Sequence, residues 1–228
     1  MIQFESVTKK YPSGHLALDN ISLKIESGEF VFIVGSSGAG KSTLLKLITR
    51  EISPTTGRIL INSEDIFKIP KSKIPILRRR IGTVFQDFKL LLTRTVFENV
   101  AMPLEVLSKN SSEIEKAVSG TLEKVGMLDK ANNFPLQLAG GEIQRTSIAR
   151  AIIAKPEVLL ADEPTGDLDP KNSQGVVELL EKINKEDKTT VIMATHNAQI
   201  VNHFKKRVVT LESGKIVNDQ KEGKYETG

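Results

Sequence analysis

Gly35-Ser36-Ser37-Gly38-Ala39-Gly40-Lys41-Ser42, followed by Thr43, has the spacing of a phosphate-cradling loop. Its glycines let backbone N–H groups converge on phosphate oxygens. A helix expected just beyond the loop adds the partial positive charge of its N-terminus. Lys41 is then placed to reach the β- and γ-phosphates, and the Ser42 hydroxyl to help hold Mg²⁺. The pattern needs a strand before it and a helix after it. Phe30–Val34 and Leu44–Ile48 read as those two elements.

Val158–Ala161 is an apolar run that ends in Asp162-Glu163. Strand ends in open α/β sheets face the ligand crevice, so this pair is expected to point at the phosphates. Asp162 suits Mg²⁺ coordination, through water, and Glu163 suits a base or an orienter for attacking water. The pair takes its meaning from coexisting with the loop at Gly35. A third element is Leu138-Ala139-Gly140-Gly141-Glu142, ahead of a helix expected to begin near Ile143. Paired glycines at a helix N-terminus make a second anion site, which a monomer with one phosphate loop does not need.

The elements that must position these groups alternate between strand and helix. Ile21, Leu23 and Ile25 alternate with Ser22, Lys24 and Glu26 as in a half-buried strand. Arg58–Asn62 and Ile81–Phe85 are further strand candidates. From about Asp87 to Lys155 the pattern turns helical. Ile114, Ala117, Val118, Thr121, Leu122 and Val125 keep three- and four-residue spacing, with Ser112 and Glu115 at capping-box distance. Strands and helices then resume: Thr190–Ala194 reads as a strand, and a helix opened by Pro170 buries Val176, Val177, Leu179, Leu180 and Ile183. Asn197 is a candidate N-cap, and Arg207–Leu211 with Lys215–Val217 forms a terminal hairpin. The tail from Asn218 is polar and expected to fray.

Composition narrows the class. A chain of 228 residues, 39% hydrophobic and 26% charged, has the make-up of a soluble globular domain. No apolar run approaches the roughly 18 residues needed to cross a bilayer. Met1-Ile2-Gln3-Phe4-Glu5 lacks the features of a signal peptide, and the absence of cysteine excludes disulfides, thiolate catalysis and Cys-ligated zinc. The net charge of +4 is modest. Its basic runs, Arg78-Arg79-Arg80 and Lys205-Lys206-Arg207, read as solvated faces or as contacts to anionic headgroups or nucleic acid. No interleaved aromatics accompany them, so no direct nucleic-acid binding is expected.

The order of phosphate loop, Gln86 after a strand, Leu138-x-Gly-Gly, the Asp162-Glu163 strand, Leu168-Asp169 and His196 is similar to that of the ABC ATPases, over nearly the whole chain. The stretches Arg78–Leu91, Thr95–Leu104, Phe134–Leu138 and Leu160–Gly166 resemble the cell-division branch of that family, which shares much of its wording with lipoprotein-release and macrolide-efflux ATPases.

The resemblance implies an α/β P-loop NTPase core with a mixed sheet, an N-terminal antiparallel β part and a helical subdomain inserted at roughly 88–155. Residues 1–228 would then form a single ABC-type ATPase domain. It implies ATP and Mg²⁺ as ligands and a homodimer formed on ATP binding. It also implies a peripheral position on the cytoplasmic face of the inner membrane, beneath an FtsX-like permease. Tyr11 would stack on adenine. Gln86 would contact Mg²⁺ and the attacking water, His196 the γ-phosphate, and Asp169 would lie in the segment crossing between subunits. Leu138-Ala139-Gly140-Gly141-Glu142 would close over the ATP held by the other copy.

Two departures stand out. Ala139 replaces the family's usual Ser, and Glu142 the commoner Gln. Loss of the Ser hydroxyl removes one charge-assisted hydrogen bond, a weakening of closure by about 1.5–3 kcal/mol. Phe88, Leu90, Leu91 and Leu92 could line a docking groove for the membrane partner or simply be core. The rival readings are an efflux or lipoprotein-release ATPase, a soluble ABC protein acting on nucleic acid or ribosomes, and a non-hydrolysing switch. Glu163 and His196 together speak against the last.

Overall fold

The chain divides its strands between two sheets. In the computed structural model, which describes residues 1–225, β1 (Ile2–Lys10), β2 (Leu16–Ile25), β4 (Thr56–Ile61) and β5 (Glu64–Asp65) form an antiparallel sheet ordered β2-β1-β4-β5. The larger sheet contains β3 (Phe30–Val34), β6 (Ile81–Val84), β7 (Val158–Asp162), β8 (Thr190–Thr195), β9 (Arg207–Glu212) and β10 (Lys215–Gln220). Its order is β10-β9-β3-β8-β7-β6, parallel throughout except for β10 at one edge. This is the mixed-sheet α/β architecture expected of the sequence.

Two-residue periodicity sets the layers. In β3, Phe30, Phe32 and Val34 join one apolar cluster, while Val31 and Ile33 join another. All five side chains are buried, as in a central strand covered on both faces. The first cluster takes in α3 (Val96–Val106), α4 (Ser111–Val125), α5 (Gly140–Ile152) and α6 (Pro170–Asp187). The second lies between the two sheets around α1 (Lys41–Ile48) and takes in Leu77 of α2 (Ile74–Arg79). Full burial of each Leu, Ile or Val contributes about 1.5–3 kcal/mol. Helices α3 to α5 interrupt the chain between β6 and β7, where the helical insertion was expected.

Several details differ from the sequence reading. Helix α4 is capped by Asn110, whose side chain accepts from the Glu113 N–H, and not by a Ser112–Glu115 box. Asn110 comes first in the chain with a side-chain acceptor, so the helix starts before Ser112 is reached. Helix α5 begins at Gly140 rather than Ile143, because the Ala139 carbonyl already accepts from Glu142 and Ile143. The glycines are therefore the first turn and not a loop before it. Strand β10 runs on to Gln220, and Gly223 and Tyr225 are hydrogen-bonded to the body, so the tail from Asn218 is ordered through Tyr225. The last residues of that tail and of the expected 1–228 domain, 226–228, lie outside the described residues.

The basic runs are largely consumed internally. Arg78 donates to the Thr49 and Arg50 carbonyls beyond α1, and Arg80 grips Glu157 with two hydrogen bonds. Lys206 pairs with Glu181, and Arg207 with Asp219 and Glu29.

Candidate nucleotide site

Strand register levels the groups that matter. Val34 pairs with Thr195, and Asp162 with Ala194, so β3, β7 and β8 end side by side. The loop at Gly35, the pair Asp162-Glu163 and His196 consequently emerge at one edge of the sheet. Gly35 holds φ 150°, and a Cβ there would stand 2.3 Å from the Leu211 carbonyl oxygen. Gly40, at φ 108°, would place one 2.6 Å from the Ala17 carbonyl. Both backbone conformation and space demand glycine at these turns.

Lys41 is buried at the start of α1. Its ammonium donates to the Gly35 carbonyl at 2.8 Å and the Ser36 carbonyl at 3.2 Å, and lies 3.4 Å from Glu163 Oε1. The same carboxylate oxygen is 3.0 Å from His196 Nδ1, and Glu163 Oε2 accepts the His196 backbone N–H at 3.3 Å. Glu163 holds φ 47°, a left-handed conformation that costs a residue with a side chain about 1–2 kcal/mol. The Glu163 N–H donates to the Ala194 carbonyl, and Gly166 N–H returns to the Glu163 carbonyl, which together hold that turn.

Ser42 Oγ donates to Asp162 Oδ1 at 3.1 Å. Burial pushes the Asp162 carboxyl above the usual carboxylate range; the Ser42 hydrogen bond opposes the rise and the Glu163 charge adds to it. Gln86 follows β6 and reaches toward the turn after Glu163, with Nε2 3.6 Å from where a Gly166 Cβ would lie. Loop residues 36–43, Gln86, Glu163 and His196 line one crevice of about 600 Å³.

Tyr11 stands at the margin of that crevice, its hydroxyl 3.3 Å from Thr43 Oγ1. Its ring faces His15 at 6.4 Å and 14°, and His15 itself lines the crevice. Sequence reasoning missed His15, a lone histidine in a turn with no motif around it. It also missed Tyr225, which enters the crevice from the end of the described chain.

Leu138, Ala139, Gly140, Gly141 and Glu142 do not reach this crevice in the same copy. Ala139 and Gly140 are exposed at the N-terminus of α5, and the Glu142 carboxylate accepts the Ala139 N–H at 2.9 Å. A Cβ on Gly141 would fall 2.7 Å from Asn172 Oδ1, and one on Gly140 3.3 Å from Leu168 Cδ2. Asn172 is held in turn by Asp169, the N-cap of α6. The paired glycines and the Asp169 segment thus form one surface, separate from the crevice.

Comparison with known proteins agrees with this layout. The ABC transporter family model matches residues 18–166. The cell division ATP-binding protein FtsE of Bacillus subtilis is 55% identical over 225 residues, covering 99% of this chain and 98% of that protein. The chain belongs to the FtsE family of ABC ATPases. The FtsE of Escherichia coli K12 is 48% identical, with 95% of this chain and 97% of that one aligned. Among solved structures, the ATP-binding cassette MJ0796, as a post-hydrolysis dimer bound to ADP and Pi, superposes with TM-score 0.88 at 36% identity, covering 99% of this chain and 100% of that one. The FtsE-like stretches thus sit on an ABC fold whose crevice and paired glycines at the start of α5 are both in place.

Proposed function

We propose that this chain is the ATP-hydrolysing subunit of a cell-division ABC complex, a homodimer when ATP is bound, working beneath an FtsX-like permease to control cell-wall hydrolysis at the septum. The observation that carries the chemistry is the meeting of Lys41, His196 and Glu163 on one carboxylate oxygen. In this reading the loop N–H groups and Lys41 take the β- and γ-phosphates. Glu163 accepts a hydrogen bond from water and aims its oxygen at the γ-phosphorus, while His196 holds Glu163 and faces the γ-phosphate. The bond from the β–γ bridging oxygen to phosphorus breaks as the water–phosphorus bond forms, and the water's proton passes to Glu163 and on to solvent, giving ADP and phosphate. Tyr11, beside Thr43, offers its ring to adenine.

The donor set suits Mg²⁺. Ser42 Oγ and Asp162 Oδ1 are hard oxygens 3.1 Å apart, with the Gln86 amide nearby, and Mg²⁺ is ordinarily held by one or two carboxylates plus phosphate oxygens. When bound, the ion would neutralise phosphate charge.

Ala139-Gly140-Gly141, with Ala139 and Gly140 exposed and the segment apart from its own crevice, would close over the ATP of a second copy, with Asp169 crossing beside it. Residues 1–228 act in this reading as one ABC-type domain, with the helical subdomain at 88–155.

No helix among the described residues is long and apolar enough to cross a membrane, so membrane work calls for a second chain. A groove of about 650 Å³ between the helical insertion and the sheet, walled by Phe85, Met102, Pro103 and Val106, suits an apolar segment of that partner on the cytoplasmic face of the inner membrane. Phe88, Leu90, Leu91 and Leu92 do not line it. Arg150 grips the Phe88 and Lys89 carbonyls, and Leu91 N–H donates to Asn99. The test is a pull-down with tagged Glu163→Gln protein and Mg-ATP from solubilised membranes. Co-recovery of an FtsX-like permease supports the division role; recovery of an efflux or lipoprotein-release permease replaces it.

A further inference from the structure

The segment after β10 is built into the molecule. Gly223 is buried, and a Cβ there would lie 2.6 Å from the Val208 Cβ, so the chain passes too close to β9 for any side chain. The Gly223 N–H donates to the Lys206 carbonyl. Two residues on, both backbone polar groups of Tyr225 are bound by one side chain: its N–H donates to Asn202 Oδ1 at 2.8 Å, and its carbonyl accepts from Asn202 Nδ2 at 3.0 Å. Asn202 belongs to α7 (Ala198–Phe204), the helix that starts two residues after His196.

This docking sends the Tyr225 ring into the same crevice as Lys41, Glu163 and His196, where it also packs on the apolar cluster beneath α6 and α7. Burial holds the phenol proton above its usual range, and the Glu163 and Glu212 carboxylates add to the rise. The group beside Glu163 is therefore a neutral aromatic wall and brings no competing charge. The His196 side chain is 64% exposed, so apart from the Lys41 ammonium and the buried flank of Glu163 little confines the pair it makes with that carboxylate.

We infer that Tyr225 is a positioning residue of the ATPase site: the C-terminal segment, clipped to Asn202, walls the Glu163–His196 pair and limits the orientations that carboxylate can take. The inference rests on the roles proposed above for Glu163 and His196. It assigns the effect to the ring, which packs on the core, rather than to the hydroxyl. Small displacements of a water-orienting group cost rate more than binding, because the phosphate contacts lie elsewhere in the loop.

The experiment is steady-state hydrolysis of Mg-ATP by the full-length chain, with Glu163→Gln as the inactive reference. Tyr225→Ala and Asn202→Ala are each expected to lower kcat by about tenfold with KM for ATP unchanged, less than the roughly 100-fold that a 1 Å misplacement of a reacting group can cost. Tyr225→Phe is expected to keep the wild-type kcat. Wild-type kcat in Tyr225→Ala, a raised KM with unchanged kcat, or equal losses in the Phe and Ala variants would each overturn the inference. If Glu163→Gln itself hydrolyses ATP normally, the fault lies in the underlying assignment and not in Tyr225.

Discussion

Lys41 Nζ stands 3.4 Å from Glu163 Oε1, so the cation meant for phosphate and the carboxylate meant for water restrain each other directly. The two side chains are 8% and 14% exposed, where a charge pair is poorly screened. In the proposed mechanism, arrival of the nucleotide's phosphates would give Lys41 a better partner and leave Glu163 to His196. On that reading, phosphate binding would change the restraint on the Glu163 carboxylate.

Ala139 is expected to weaken dimer closure relative to a serine at that position. It is exposed at the N-terminus of α5 and has no hydroxyl to offer a phosphate held by another copy. Ala139→Ser should restore a charge-assisted hydrogen bond worth about 1.5–3 kcal/mol per site, raising the ATP-dependent dimer fraction. Sedimentation of hydrolysis-deficient protein at matched ATP concentrations measures it, and equal dimer fractions would remove the idea.

Gly141 and Asn172 are locked by contact. A Cβ at Gly141 would lie 2.7 Å from Asn172 Oδ1 and 3.0 Å from its Cγ. Gly141→Ala should therefore destabilise the fold by about 1–3 kcal/mol through overpacking. Adding Asn172→Ala removes the colliding atoms and should recover much of that loss. Denaturant unfolding of the single and double variants decides the matter; additive losses would show that the strain lies elsewhere.

Asp162 should trade stability for function. Burial raises its carboxyl above the usual range, so the folded protein holds that proton more tightly than the unfolded chain does. Stability then falls as pH rises from the ordinary carboxylate value, about 4, through the raised folded value, and stays reduced above both. Asp162→Asn should raise the melting temperature of nucleotide-free protein by a few degrees near neutral pH, with the gain vanishing in acid, while hydrolysis is lost. A melting temperature that falls at neutral pH would contradict this.

Much of the site was legible because its physics is local. The loop at Gly35 declares its glycines, and Asp162-Glu163 ends an apolar run whose direction the sheet dictates. Asn197 was readable as a cap and does accept from the Ile200 N–H. Other elements were hidden by mixed signals. Helix α3 opens with a Thr95–Glu98 capping box, yet Pro103 inside it disguises the apolar spacing of Val96, Val100 and Leu104. Strand β1 has the Ile2–Phe4 alternation, but its register shifts beyond Phe4 and again after Val7, which breaks the two-residue pattern. His15 and Tyr225 come to the crevice through long-range packing, which no local spacing encodes. The same holds for the groove: Leu91 and Leu92 are apolar and exposed, yet neither lines it.

Hydrolysis by Glu163→Gln tests the central claim most directly. The substitution nearly keeps the shape beside Lys41 and His196, while it removes the carboxylate charge and turns one acceptor oxygen into a donor. The account predicts that the variant binds Mg-ATP, accumulates as an ATP-bound dimer, and turns over at least about 100-fold more slowly than wild type, within the range for loss of a general base. Wild-type turnover by Glu163→Gln would contradict it.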